Sequence, residues 1–313
     1  MLTAICPARN EEAFIENVIQ FFLKAKPADK ELFIVDGNSS DKTREIVSAY
    51  AKQYSNIHLL ENPQQIVPFA LNKAIKVSTG DPIVRLDAHT LYADDYFEKI
   101  LETFAKTNAD IVGGPMRAVG KTDFQKAVAY ATSTKLGVGD SQFHDEHAEG
   151  YVDSVYLGAW RRNIFNEVGY FDEQMKRNQD DEFHYRAKSF GKKIYLNPEI
   201  KSQYFPRDSF SKLFKQYFEY GLYKPLVLRK VKSEIKLRHI VPSLFVLYLL
   251  LLPVSAYLLN EFALLPLLIY FALAILFAIR NKSGRTEKLF SMIIYPVLHI
   301  AYGSGFLIGL IRK

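Results

Sequence analysis

A chain of 313 residues with 49% hydrophobic and 14% aromatic side chains can bury a core of about 200 residues or more and still have material for another element. Its single cysteine, Cys6, excludes an internal disulfide framework, agrees with a reducing compartment and reads as a buried strand residue. The net charge of +6 is spread unevenly: "RKVKSEIKLRH", residues 229–239, carries five Lys or Arg, and charges almost vanish behind it. That pattern predicts a lipid surface, with no nucleic acid, as the partner of the basic stretch.

In chain order, "MLTAICPARNEEAF" has no basic leader region and no small-residue cleavage site, so the first 230 residues are expected to stay in the cytoplasm. Short β-rich runs then alternate with helical stretches. "LTAIC" precedes a helix over 11–24, "ELFIV" one over 41–54, "IHLL" one over 66–77 and "PIVRLD" one over 94–106. Such alternation means βαβ units with right-handed crossovers, hence an α/β, mainly parallel, twisted sheet with helices on both faces. Between the halves, "STKLGVGDSQFHDEHAEGYVD" is rich in glycine and polar groups and is expected to be an acceptor-side flap. His144 and His147 lie three apart there, but no further ligand accompanies them at fitting spacing, so they read as a solvated loop pair.

The last third differs. Residues 208–239 are aromatic on one helical face and basic on the other, which suits a helix lying in a membrane interface or packing terminally on the sheet domain. Uncharged runs follow over 240–259, 262–279 and 290–311, of 20, 18 and 22 residues. A helix needs about 20 apolar residues to cross the hydrocarbon. Basic residues flank the first run and fill "RNKSGRTEK", whereas the link Asn260-Glu261 has none, so the positive-inside rule keeps 1–239 and 280–288 cytoplasmic. Residues 290–311 would cross again or dip back, and Gly305-X-X-X-Gly309 offers a packing face for another helix, including that of a second copy in a homo-oligomer.

Ligands of open α/β sheets bind beyond the carboxyl ends of the strands. Three polar clusters fall there: "PARNEE", "DGNSSD" and "DAH". Asn10 could cap a helix, Gly37 could supply a positive φ, and Ser39, Ser40 or Asp41 could cap the next helix. Caps do not explain Asp36 and Asp87 at strand ends. Asp87 and His89, two apart on an extended segment, point the same way and could share a cation; the alternative is an Asp-X-His turn with a solvated histidine. Neither a Gly-X-Gly-X-X-Gly nor a Gly-Lys-Ser/Thr motif is present, so phosphate would be neutralised by a divalent cation.

"CPARNEE", "VDGNSSDKT", "ALNKAIKVSTGDPIVRLDAHT", "GAWRRNIFNEVGYFDE" and "NQDDEFHYR" occur in the order and spacing of family 2 glycosyltransferases, which the chain resembles over residues 2–206. The resemblance is greatest to bacterial membrane-associated glucosyltransferases of the succinoglycan exopolysaccharide type. It implies a GT-A catalytic domain over 1–207, interface helices over 208–239 and a membrane domain over 240–313. By the same resemblance Pro7, Ala8, Glu11 and Asp36 would line the base and ribose of a UDP-sugar, with Asn72 or Lys73 near the diphosphate. Asp87 and His89 would hold Mn²⁺ or Mg²⁺ where the family has Asp-X-Asp. Asp180 would be the catalytic base, with Asp181 and Glu182 as alternates, and Trp160 and Arg161 would border the acceptor, although Trp160 reads equally well as core. His89 replaces the family's second Asp and Gln179 its Glu, which leaves the identity of the base open.

An inverting transfer needs one carboxylate to take the acceptor's proton and a cation against the leaving diphosphate. The expected reaction moves a hexose, with UDP-glucose as donor, onto a polyprenyl-diphosphate-linked saccharide at the inner (plasma) membrane. A catalytically silent nucleotide-sugar-binding subunit and a sugar nucleotidyltransferase are the competing readings. The second would normally carry a glycine-rich basic loop where this chain has "PARNEE".

Overall fold

The computed structural model describes residues 1–231 and 235–312; the part of the basic stretch at 232–234 lies outside the described residues. In chain order the strands are β1 (Leu2–Ala8), β2 (Lys30–Asp36), β3 (Ile57–Glu61), β4 (Ile83–Arg85), β5 (Leu91–Tyr92), β6 (Ile111–Gly114), β7 (Arg117–Ala118), β8 (Gly150–Tyr151), β9 (Tyr156–Trp160), β10 (Ile194–Leu196) and β11 (Ser202–Tyr204). The helices of the first half are α1 (Ile15–Lys24), α2 (Thr43–Gln53), α3 (Val67–Val77), α4 (Tyr96–Lys106), α5 (Asp123–Thr132) and α6 (Lys135–Val138). Those of the second half are α7 (Ile164–Glu167), α8 (Gln179–Ser189), α9 (Phe210–Lys230), α10 (Leu237–Leu259), α11 (Leu265–Ile279) and α12 (Arg285–Ile311).

The main sheet has the order β3-β2-β1-β4-β9-β6-β10-β8, and β5, β11 and β7 form a second, three-stranded sheet. Strands β1 to β4 run parallel, with Ala8 opposite Asp36 and Thr3 opposite Ile83. All seven residues of β2 are buried, as a parallel strand covered on both faces requires. The sheet is mixed: β9 runs antiparallel between β4 and β6, pairing Trp160 with both Ile83 and Ile111 and Tyr156 with Gly114. Tyr156 is therefore at the carboxyl ends of the parallel strands and Trp160 at their amino ends.

Helix α1 begins four residues later than the periodicity suggests because the N–H groups of Glu11 and Glu12 are already taken, by Thr43 Oγ1 and Asp41 Oδ2. Asn10 has φ 56° and caps nothing; its Oδ1 accepts from the Ser40 N–H at 2.9 Å. In "DGNSSD" the left-handed residue is Asn38 (φ 60°), and not Gly37. Gly37 instead sits in a close approach, since a Cβ there would lie 3.2 Å from the Arg9 Cβ.

The chain divides into two compact units, Met1–Arg117 with Asp145–Tyr204, and Ala118–His144 with Phe205–Lys313. The glycine-rich segment is thus shared: Gly150–Tyr151 pairs with β10 in the sheet unit, while α5 and α6 belong to the helical one. Thr122 and Gln125 form a capping box at the start of α5. Its Phe124, Ala127, Val128 and Ala131 share a buried cluster with Leu213, Ala274, Ile294, Tyr295 and Leu298. Among the described residues no three His, Cys, Asp or Glu side chains gather as a metal cluster, His144 and His147 included.

Helices α9 and α12 are in glycine-mediated contact. A Cβ on Gly221 would meet the Tyr302 carbonyl oxygen at 2.0 Å, one on Gly305 that of Phe218 at 2.1 Å, and one on Gly309 that of Leu222 at 2.3 Å. The Gly305-X-X-X-Gly309 face, expected to pack against another helix, is filled by α9 of the same chain. Leu237–Ile279 and Arg285–Ile311 are both long and apolar enough to be candidate membrane spans. The first contains α10, a 3₁₀ turn at Asn260–Leu264 and α11, which fold back on each other as the expected hairpin: the Phe245 ring stacks on that of Tyr270 at 4.3 Å and the Tyr248 hydroxyl donates to the Ala263 carbonyl at 2.7 Å.

Candidate functional site

The loops after β1 and β2 interlock. Besides the bonds from Glu11 and Glu12, the Asn10 N–H donates to Ser39 Oγ at 2.9 Å and the Lys42 N–H to Glu12 Oε2 at 3.0 Å. Asp36 is buried at the end of β2, its carboxylate accepting from the Ser39 N–H and hydroxyl. Pro7 and Ala8 end β1 beside it. The rim expected to take a nucleoside is thereby a pre-ordered wall, with Asp36 already carrying local hydrogen bonds.

β4 supplies the centre. Arg85, buried, donates from Nε to Asp87 Oδ1 at 3.0 Å and from Nη1 to both oxygens of Asp180 at 2.7 and 2.6 Å. Burial alone would lower the Arg85 pKa; Asp180 and Asp87 more than reverse this and raise it. One guanidinium thus joins the strand-end carboxylate to the first turn of α8. Asp87 is further fixed through its backbone, whose N–H donates to the Tyr92 hydroxyl at 2.6 Å. His89 Nδ1 lies 3.2 Å from Glu11 Oε1, linking the β4 and β1 loops. Cys6, beneath them, is buried; burial, then the charges of Asp87 and Glu11, push its thiol well up.

The other acidic residues of α8 separate by their partners. Glu182 is buried and bonded to Arg186 at 2.7 and 3.0 Å, and that guanidinium also binds the Val168 and Tyr170 carbonyls. Glu182 therefore holds the loop before α8 and does not face the rim, a correction to its place as an alternate base. Asp181 accepts from Ser154 Oγ at 3.4 Å, and Ser154 contacts His184 Nδ1 at 2.9 Å. Burial lowers the His184 pKa against the opposing pull of Asp180, Asp181 and Asp153. Gln179 donates to Asp180 Oδ2 at 3.3 Å, which supports the carboxylate without adding charge.

Three expected residues, Asn72, Trp160 and Arg161, are engaged elsewhere. Asn72 is buried and bonds the Phe171 backbone through both side-chain atoms, at 2.8 and 3.0 Å, and Glu173 at 3.0 Å, so it locks α3 to the loop before α8. Lys73 reaches the Glu61 carbonyl at 2.7 Å at the carboxyl end of β3, where Glu61 stands opposite Asp36, so its ammonium remains at the rim. Trp160 is wholly buried among Phe165, Phe171 and Phe183 and offers no face to a sugar. Arg161 stacks on Phe104 at 4.4 Å and donates to its carbonyl at 3.1 Å, at the amino-terminal edge of the sheet, away from the rim. The residue that sequence reasoning passed over is Arg85. Its signal was present: it stands two before Asp87 and therefore points to the same side of the strand.

The model of "Glycosyl transferase family 2" matches residues 3–192. The chain is 30% identical over 315 aligned positions to the succinoglycan biosynthesis protein ExoA of Rhizobium meliloti, spanning 96% of this chain and 92% of that one. It is 27% identical to the dolichyl N-acetyl-alpha-D-glucosaminyl phosphate 3-beta-D-2,3-diacetamido-2,3-dideoxy-beta-D-glucuronosyltransferase of Methanococcus voltae, covering 99% and 97%. Among solved structures, the mannosyltransferase PcManGT of Pyrobaculum calidifontis, determined with GDP-Man and Mn²⁺, superposes with a TM-score of 0.61 at 18% identity, over 100% of this chain and 87% of that one, which shows a shared fold. The family match over most of the sheet unit, with the ExoA likeness across nearly the whole chain, establishes that this chain belongs to glycosyl transferase family 2.

Proposed function

We propose that this chain is a membrane-attached, inverting hexosyltransferase of glycan synthesis, using UDP-glucose and a polyprenyl-diphosphate-linked saccharide. The observation that carries the reading is the Arg85 bridge, which gathers Asp87 and Asp180 at the carboxyl edge of a parallel sheet in a family 2 chain. Both full-length relatives are named for glycan work, one of them on a dolichyl phosphate-linked sugar, which supports a lipid-linked acceptor.

In this mechanism Asp36, Pro7 and Ala8 hold the base and ribose. Asp180, oriented by Arg85 and Gln179, takes the proton of the acceptor hydroxyl as its oxygen bonds the anomeric carbon. The bond to the diphosphate breaks on the opposite face, and the nucleoside diphosphate leaves with the electron pair. Asp87 fits a divalent cation, because Arg85 engages only its Oδ1; His89 would complete the site beside Glu11. When bound there, Mn²⁺ or Mg²⁺ supplies charge neutralisation for the leaving diphosphate. The proposed organisation is a catalytic domain over 1–207 on the cytoplasmic side of the plasma membrane, interface helices over 208–239 and a membrane domain over 240–313.

The test is purified full chain in detergent, offered a panel of nucleotide sugars with a lipid-linked saccharide, reading diphosphate release and the anomeric configuration of the product. Transfer with inversion from UDP-glucose supports the proposal. Binding without turnover would favour the silent subunit, and pyrophosphate release from nucleoside triphosphate and sugar phosphate would favour the nucleotidyltransferase.

A further inference from the structure

Within the helical unit, α9 and α12 lie side by side and parallel along their lengths. The Phe210 ring is 6.2 Å from that of Phe290 at one end; Gly221 abuts Tyr302 and Phe306 midway; Gly309 abuts Leu222 and Pro225 beyond. At the far end Arg229 donates to the backbone oxygens of Arg312 at 2.9 Å, of Gly309 at 3.4 Å and of Leu310. Any depth in a bilayer reached by a residue of α12 is therefore shared by its neighbour on α9.

α9 cannot follow a spanning helix through hydrocarbon. It carries Lys212, Lys215, Glu219, Lys224, Arg229 and Lys230, spread over its whole length, and Lys215 and Glu219 stand level with the middle of the uncharged run of α12. Charges at the bilayer centre are strongly disfavoured. The first half of α12 is also covered by segments that bring polar and charged groups beside their apolar contacts: Lys126 of α5 lies 3.9 Å from Glu287, Thr134 Oγ1 lies 3.2 Å from the Tyr295 hydroxyl, and His299 Nε2 lies 2.8 Å from the Leu136 carbonyl oxygen. In the best apolar window of α12, 44% is buried within the protein, against 17% for Leu237–Ile279. The large apolar side chains that α12 leaves exposed, Leu289, Ile293, Ile308, Leu310 and Ile311, fall within about 160° of one another on a helix of 3.6 residues per turn. One apolar stripe beside a lysine-bearing partner helix is the pattern of an interfacial element.

We infer that α12 does not cross the bilayer but lies with α9 along its cytoplasmic surface, the two forming a lipid-facing platform, while only the α10–α11 region enters the hydrocarbon. This rests on the membrane attachment proposed above. It assigns α12, apolar enough to be taken for a span, to the surface, and it puts residue 312 on the same side of the membrane as the 280–288 loop.

The experiment uses the full chain carrying Cys6→Ser, with Ser283→Cys or Arg312→Cys added, in sealed membrane vesicles of known orientation. Both added positions are exposed and lie in a loop and beyond the last helix. A membrane-impermeant maleimide confined to the cytoplasmic face should label both, and the same reagent confined to the opposite face should label neither. Labelling of Arg312→Cys only from the face opposite Ser283→Cys would show that α12 crosses and would overturn the inference. Labelling of Arg312→Cys only after detergent would bury the terminus in lipid and overturn it equally. Extraction of the protein by alkaline carbonate separates the two claims: release would remove the membrane reading itself, and the surface platform with it, whereas retention leaves the labelling side to decide.

Discussion

Arg85 and Asp180, 95 residues apart, meet through a single nitrogen that bonds both carboxylate oxygens, on the strand that ends in Asp87. A lysine keeps the charge but not the planar fork, so Arg85→Lys should lower kcat while donor affinity falls less. Arg85→Met should be worse, because it leaves two partly exposed carboxylates without their shared buried cation. Thermal unfolding and turnover measured on the same preparations separate the contributions. An Arg85→Met protein with wild-type melting and rate would mean that the bridge organises nothing.

Asp180→Asn should remove about 10² to 10⁴ in rate, as loss of a general base does, with UDP-sugar affinity within a few fold of wild type. Near-normal turnover would pass the role to Asp181. Glu182 is not a substitute, being committed to Arg186.

Asp87 and His89 should differ in their effect on metal. Asp87→Ala removes the carboxylate proposed to hold the cation and should abolish Mn²⁺-dependent tightening of UDP binding, read by calorimetry with and without the ion. His89→Ala should weaken it less than Asp87→Ala does, because it deletes a neutral ligand and no negative charge. Identical Mn²⁺ dependence in wild type and His89→Ala would restrict the histidine to its contact with Glu11.

Glu31 gives a pH signature in stability. Burial pushes its carboxyl up, but bonds from the Thr3 hydroxyl and from the Thr79 and Gly80 amides outweigh this and hold it below the ordinary range. A depressed carboxylate stabilises the fold above its unfolded value, near ~4.3, and that contribution disappears as the pH falls through the folded value. Glu31→Gln should therefore cost about 1–3 kcal/mol at pH 7 and progressively less below pH ~4. Denaturant midpoints across that range are the measurement; a constant difference at every pH would refute the assignment.

Gly305→Val places a side chain where even a Cβ would lie 2.1 Å from the Phe218 carbonyl. The expected result is a loss of stability of about 1–3 kcal/mol or more with no change in oligomeric state. A shift from dimer to monomer at unchanged melting temperature would instead assign this glycine face to a second copy of the chain.

The alternation of elements was legible because buried parallel strands read as continuous apolar runs, as β2 does. The antiparallel β9 was not, since "YLGAW" carries no signal of direction, and with its direction unknown Trp160 was equally at home at the rim or in the core. Asp36 and Asp87 were found from their positions at strand ends. Arg85 was missed because its partner on α8 is distant in sequence, and Asn72 was misassigned because one exposed-looking helix position resembles another until the Phe171 loop covers it. Glu182 and Asp180 are two apart on one helix and so face different directions, which separates their roles once the helix axis is known.

The division of the chain at Arg117, Asp145 and Tyr204 makes biosynthesis a matter of timing. Helix α5 leaves the ribosome with Phe124, Val128 and Ala131 uncovered, and its partner Tyr295 follows Thr132 by 163 residues. At 5–20 residues per second that interval is roughly ten to thirty seconds, during which the apolar face has at most the partial cover of Phe210 and Leu213 and is open to a chaperone or to the bilayer itself. A chain cut after Arg207 would never close that face, so release of the sheet unit as a free soluble protein calls for removal or resurfacing of α5 and α6 as well.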